Sequence, residues 1–195
     1  IAIPEAHGGV GLTLAEVVPV VEQMGRHLLA SPFVAATLAA QAIASGGTDT
    51  QQAEWLPQLA EGAIGTLALS EAHGDWDLTN ITATAHSEGD MLKLAGEKLF
   101  VLWAESAALI VTSVMLDGKP ALVVLTAADV AGRLRREAII DETKRSFALS
   151  LDGITIAKSA LLDFGKTAQT LAHIEQAAAL LQSAEMCGGS QSVID

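Results

Sequence analysis

Over the first sixty residues the apolar positions recur every three or four places, which is the spacing of one helical face. Thr13 followed by Glu16 three places on forms a capping box, where hydroxyl and carboxylate satisfy amides that no helical carbonyl can reach. Leu14, Val17, Val18, Val21 and Met24 then make one stripe, so the pattern predicts a helix over 14–29. Pro19 falls inside it and is expected to kink the axis or delay the start, because its ring removes a donor and collides with the preceding turn. Ser31 and Pro32 restart the chain into a second helix through Phe33, Val34, Leu38 and Ile43, which Gly46 and Gly47 are expected to end with a left-handed C-cap. A second capping box, Thr48 with Gln51, opens a third helix through Trp55, Leu56 and Leu59 to Gly62.

From residue 64 the period shortens to two. Segments 64–70, 81–87, 91–95, 108–115, 121–126, 147–152 and 154–157 are short and β-branched or alternating, with Gly, Asp and Asn between them. Glu88-Gly89-Asp90 and Leu116-Asp117-Gly118-Lys119 read as hairpin turns, pairing 81–95 and 108–126 as meanders. After Gly165 the helical period returns, with Leu171, Ile174, Ala178, Leu181 and Met186 on the expected apolar face up to Gly188 and Gly189. Helices, then strands, then a helix predict an α+β fold with three parts: a helical layer at 1–63, an antiparallel sheet or barrel at 64–165 and a helix at 166–195. The chain starts at Ile1 without a methionine and stops at Asp195 within a helical pattern, so it reads as a fragment.

Charge narrows the partners. Eleven basic against 23 acidic side chains give a formal net charge of -12, which repels nucleic-acid phosphates and anionic lipid. No apolar run approaches the roughly 20 residues that cross a bilayer. Neither nucleic acid nor membrane is an expected partner. The single Cys187 allows no internal disulfide, and no export signal opens the chain, so a reducing cytoplasm is expected. Cys187 itself is expected to be a small buried hydrophobe. The histidines His7, His27, His73, His86 and His173 are scattered without ligand spacing, so no metal site is predicted, and His73 is expected to be a solvated loop side chain. Gly8, Gly9 and Gly11 lack the preceding strand and following lysine of a phosphate loop. Arg133, Arg135, Arg136, Lys144 and Arg145 concentrate positive charge; they could meet phosphates, but a solvated strand face is the preferred reading.

Several local motifs occur in a recognisable order: IPEAHGGVGL at 3–12, VVEQMGR at 20–26, ASPF at 30–33, EWLPQLAEG at 54–62, LALSE at 67–71, LKLAGEKLFV at 92–101 and DETKR at 141–145. Together with the run at 147–156 they resemble the N-terminal and middle domains of acyl-CoA dehydrogenases over nearly the whole chain. The resemblance implies a helical N-terminal domain, an antiparallel β-barrel middle domain and the start of a C-terminal helical bundle. It also implies FAD held between barrel and C-terminal helices, an acyl-CoA substrate in the same cleft, an electron-transfer acceptor protein, and a homo- or hetero-oligomer. The implied reaction is α,β-desaturation, in which a glutamate takes the α-proton and flavin accepts the β-hydride. The base and an arginine-rich flavin segment belong to the C-terminal domain, so no catalytic residue is assigned in this chain.

By the same resemblance Leu67, Leu69 and Ser70 contact the flavin, Ser70 through its hydroxyl, with Phe100 and Leu102 as the second element. Phe100 stands where an aromatic is expected, and Leu102 where a hydroxyl is expected; leucine cannot donate that hydrogen bond. Trp103 could take the aromatic role through a shift in register. Trp76 and Asp77 fall on the turn that approaches flavin and thioester, Asp77 matching and Trp76 replacing a serine, with the indole either narrowing the channel or turned outward. The departures at Trp76 and Leu102 leave a second reading, a non-catalytic or flavin-deficient subunit of a hetero-oligomeric acyl-CoA dehydrogenase.

Overall fold

The capping boxes form as the spacing requires. Thr13 N–H donates to Glu16 Oε2 at 2.8 Å, and Thr48 N–H donates to Gln51 Oε1 at 2.9 Å, opening α1 (Leu14–Arg26) and α3 (Asp49–Ala60). The computed structural model describes residues 1–194, leaving Asp195, the last position of the expected third part, outside the described residues. Pro19 neither delays α1 nor ends it. It lies on the exposed face, as does Ala15, whose carbonyl would have received the N–H that proline lacks.

Helix α1 stops at Arg26, short of the expected residue 29. Leu29 N–H donates to Met24 O and Leu28 N–H to Gly25 O, with Leu28 at φ 51, which is a Schellman ending with leucine in the usual glycine position. In α2 (Phe33–Gly46) the expected left-handed cap does not occur: Gly47 is extended, at φ -76 and ψ 151. Gly46 has a packing reason instead, since a Cβ there would meet Thr170 Oγ1 at 2.8 Å.

Nine strands follow: β1 (Gly65–Ala68), β2 (Thr84–Glu88), β3 (Met91–Ala95), β4 (Glu97–Leu102), β5 (Leu109–Leu116), β6 (Lys119–Thr126), β7 (Leu134–Arg136), β8 (Ser146–Ser150) and β9 (Thr155–Ala157). Both expected hairpins form, β2–β3 and β5–β6. Strand β4 lies outside the expected segments, β7 falls on the solvated strand face expected for Arg135 and Arg136, and two pairings depart from the antiparallel expectation, since β1 and β2 both run parallel to β5. The strands make a six-stranded sheet and a three-stranded sheet (β4-β8-β7), and no ladder among the described residues closes them into one barrel.

Strand β5 explains the layering. Ile110 and Val114 point into the core between the two sheets, with Leu94, Val101, Phe147 and Leu149, while Leu109 and Val111 face the helices, with Ile43, Leu56, Leu171 and Ile174. Both faces are buried, which is why 108–115 reads as a nearly continuous apolar run.

The last helix, α4 (Thr167–Ile194), runs past Gly188 and Gly189. Its Leu181 and Ala184 pack with Val17, Val21 and Met24 of α1. The two helices touch through glycine, because a Cβ on Gly188 would lie 1.8 Å from Glu22 O and one on Gly25 would lie 1.9 Å from Glu185 O. Met186 and Cys187 are both exposed, so the expected burial of each is corrected: Ala177 and Ala184 hold the buried stripe that Met186 was expected to extend. No described helix is long and apolar enough to cross a membrane.

Candidate functional site

The site originates in how β1 and β2 share one edge of β5. Gly65–Ala68 pair with Leu109–Thr112, and Thr84 and Ala85 pair with Met115 and Leu116. The intervening residues 69–83 leave the sheet as a loop, and their backbone groups must find other partners.

Glu71 closes the neck of that loop. Its Oε2 accepts Thr82 N–H at 2.8 Å and the Thr82 hydroxyl, and its Oε1 accepts Ala83 N–H at 3.2 Å. Lys98, fully buried on β4, donates to Glu71 Oε1 at 2.6 Å and to Ser113 Oγ on β5 at 2.9 Å, pinning the two sheets together. Burial pushes the Glu71 carboxyl up, but hydrogen bonds from Lys98 and Thr82 and the Lys98 charge outweigh it and hold the group at about 2. Burial also pulls the Lys98 ammonium below its ordinary value, against the opposing pull of Glu71. Neither residue was singled out for chemistry in the sequence, although LALSE and GEKLF contain them.

The rest of the loop is tied internally. His73 is exposed, as expected, and also braces the loop: its Nδ1 accepts Asp75 N–H at 3.1 Å, and its Nε2 lies 3.5 Å from Glu71 Oε2. Asp75 accepts Asp77 N–H at 3.0 Å and Asn80 Nδ2 at 2.7 Å, bonds that hold its carboxyl below the usual range. Asp77 accepts the hydroxyl of Thr79 at 2.6 Å and its N–H at 2.8 Å, and is lowered for that reason.

Between this loop, β1, β4 and α4 lies a cavity of about 480 Å³, lined by Leu67, Leu69, Ser70, Trp76, Leu99 and Phe100 on the sheet side and by Ile174, Glu175, Ala178 and Gln182 on the helix side. A second cavity of about 220 Å³ shares Leu67, Phe100, Ala178 and Gln182 with it and continues past Leu102 and Trp103 to Met24, Ser31, Val34 and Leu38. Leu67, Leu69, Ser70 and Phe100 therefore meet at one cleft, with Leu102 and Trp103 at its narrower end. Trp76 is 91% exposed at the rim, turned outward, leaving the mouth open. Asp77 does not line either cavity; the loop carboxylate that does is Asp75.

The walls contributed by α1 and α2 carry no polar signature, and only the ASPF motif hinted at them. The basic side chains are not gathered for a ligand. Arg135 pairs with Glu97, Arg136 with Glu142, Lys144 with Glu185 at 2.6 Å, and Arg145 with Glu105, while Arg133 donates to Asp152 O. Among the described residues no group of three metal-ligating side chains converges.

Comparison with known proteins follows the same outline. Residues 1–63 match the family model described as acyl-CoA dehydrogenase, N-terminal domain. The chain is 31% identical to acyl-CoA dehydrogenase fadE12 of Mycobacterium bovis over 186 residues, 88% of this chain and 46% of that protein. It is 36% identical to (2S)-methylsuccinyl-CoA dehydrogenase of Cereibacter sphaeroides over 107 residues, 53% of this chain and 20% of that one. The chain thus spans less than half the length of these relatives. Among solved structures, a glutaryl-coenzyme A dehydrogenase bound to glutaryl-CoA superposes at TM-score 0.89 with 20% identity, covering 98% of this chain and 52% of its own, a likeness of fold alone. A steroid ACAD superposes at TM-score 0.81 with 30% identity, covering 96% of this chain and 51% of its own.

Proposed function

Because the chain belongs to the acyl-CoA dehydrogenase family, we propose that its cleft is the flavin- and thioester-facing part of an FAD-dependent enzyme that desaturates acyl-CoA. The observation that carries this reading is the convergence of Leu67, Leu69, Ser70 and Phe100 on a single cavity of about 480 Å³. That volume falls within the roughly 300–1,000 Å³ of sites that enclose a sizeable ligand. The donor set suits a flavin, whose face is apolar and whose rim is polar: an exposed serine hydroxyl two residues past the end of β1, a phenyl ring, and aliphatic walls on α4.

Leu67, Leu69 and Ser70 would hold the ring system at its rim, and Phe100 would cover its face. Leu102 offers contact without a hydrogen bond, so the hydroxyl expected there is not replaced by that side chain. The chemistry FAD supplies when bound is acceptance of a hydride. The residues of this chain orient the ligands and shed water: Ile174 and Ala178 present apolar surface across from Phe100, and the loop braced by Glu71 and His73 fixes the rim. Trp76, at the open mouth, and Asp77, which steadies the loop through Thr79, would bear on the thioester. An electron-acceptor protein and an oligomeric assembly accompany this reading.

Leu102 favours one second reading, a subunit that binds acyl-CoA without reducing flavin. Titrating the purified protein with FAD, then adding acyl-CoA without oxygen, separates the two. The first reading expects bound flavin with a perturbed visible spectrum that shifts further on adding acyl-CoA. Bound acyl-CoA without bound flavin would establish the second, and binding of neither would end both.

A further inference from the structure

Strand β4 bends beside the cleft for a reason visible in its ladder. Lys98 pairs with Leu149 and Val101 with Phe147, so Leu99 and Phe100 together stand opposite Ala148 alone, a β-bulge. Phe100 sits at φ 55, in the left-handed region that a bulky side chain occupies only where its surroundings over-determine it. Both amides at the bulge find acceptors outside β8. Leu99 N–H donates to Ser70 O at 2.9 Å, and Phe100 N–H donates to Glu137 Oε2 at 2.9 Å.

Glu137 is itself fixed before it meets Phe100. The same Oε2 accepts the hydroxyl of fully buried Ser146 at 2.8 Å, and Glu137 N–H donates to Ser146 O at 3.0 Å. The carboxylate thus bridges β8 to the bulge. Phe100, 56% exposed, lines both cavities, as do Leu67, Ala178 and Gln182. A one-residue slip that removed the bulge would turn position 100 to the opposite face of the strand.

We infer that Glu137 is a positioning residue: its carboxylate holds the Phe100 amide in the strained bulge and thereby sets the aromatic wall common to both parts of the cleft. The inference rests on the cleft being the flavin site, and it adds a residue that touches neither ligand. The bulge spends backbone strain to place an aromatic surface, a pattern typical of binding sites.

Three variants of the intact protein test it: Glu137→Ala, Glu137→Gln and Phe100→Gly. In the ligand-free protein, Glu137→Ala should speed hydrogen exchange of the Phe100 amide by about tenfold or more while the Leu99 amide, held by Ser70, is unchanged. Glu137→Gln keeps an acceptor oxygen and should restore most of the protection. FAD affinity should fall about tenfold in Glu137→Ala and stay near wild type in Glu137→Gln. Phe100→Gly should melt no lower than wild type, because glycine adopts the positive φ freely, yet bind FAD more weakly. A purely structural role would not separate those two effects. An unprotected Phe100 amide in the wild type, unchanged exchange in Glu137→Ala, or undiminished FAD affinity in that variant overturns the inference. If Glu137→Ala does not fold, the opposed signs in Phe100→Gly decide it. A wild type that binds no FAD defeats the reading of the cleft instead, and the exchange data still decide whether Glu137 holds the bulge.

Discussion

Removing Glu71 should cost far more than removing Lys98, although the two form one ion pair. Glu71→Ala strands a fully buried ammonium whose other partner is the single hydroxyl of Ser113, and it takes the acceptor from Thr82 and Ala83 at the neck of the loop. Breaking a buried pair in this way costs about 3–5 kcal/mol, and each orphaned amide adds about 1–3 kcal/mol unless water reaches it. Against a total stability of about 5–15 kcal/mol, the variant should be marginally folded at best. Lys98→Met instead leaves the carboxylate with three donors, Thr82 N–H, the Thr82 hydroxyl and Ala83 N–H, so its cost should lie near about 2 kcal/mol. The double variant Glu71→Ala/Lys98→Met should be less destabilised than the sum of the singles, since no buried charge is then left alone. Urea unfolding at neutral pH measures all three. The pH dependence follows with a definite sign. The Glu71 group titrates at about 2 in the fold against 4.5 as reference, so its contribution is complete above 4.5 and disappears as pH falls towards 2. A Lys98→Met penalty exceeding that of Glu71→Ala, or a Glu71→Ala cost below about 1 kcal/mol, would refute this reasoning.

Two further predictions concern helix ends and contacts. Leu28 is 87% exposed in the left-handed ending of α1, so Leu28→Gly should raise stability by about 0.5–1 kcal/mol, and a lower melting temperature would contradict it. Gly188→Ala puts a methyl group within 1.8 Å of Glu22 O and should destabilise the α1–α4 contact by about 2 kcal/mol or more, whereas Gly189→Ala, with no atom nearer than Gly25 O at 3.7 Å, should be tolerated; thermal melts of the pair would separate them.

Much of this architecture is legible in the residues, and the exceptions have physical causes. Capping boxes announce α1 and α3 because both partners lie within one turn of sequence. The two hairpins are legible for the same reason. The convergence of Leu67, Leu69, Ser70 and Phe100 was implied by resemblance to a family, not by their spacing. Strand β4 was missed because its bulge breaks the alternation, leaving Leu99, Phe100, Val101 and Leu102 as an unbroken apolar run. Glu71 and Lys98 lie 27 residues apart and each looks like an ordinary surface charge; only the stacking of one sheet on the other makes them a buried pair. Likewise Gly188 reads as a helix stop until the carbonyl of Glu22 is seen against it.

Helix α4 serves two neighbours at once. Within its 28 residues the stretch from Ile174 to Gln182 walls the larger cavity, and the stretch from Leu181 to Gly188 seats on α1, so the two share only Leu181 and Gln182. The gap available to a guest is therefore gauged from behind, by how deeply the helix settles into its seat. Substitutions at Gly25 or Gly188 act as shims: they would retune which molecules are admitted without altering an atom that lines either cavity.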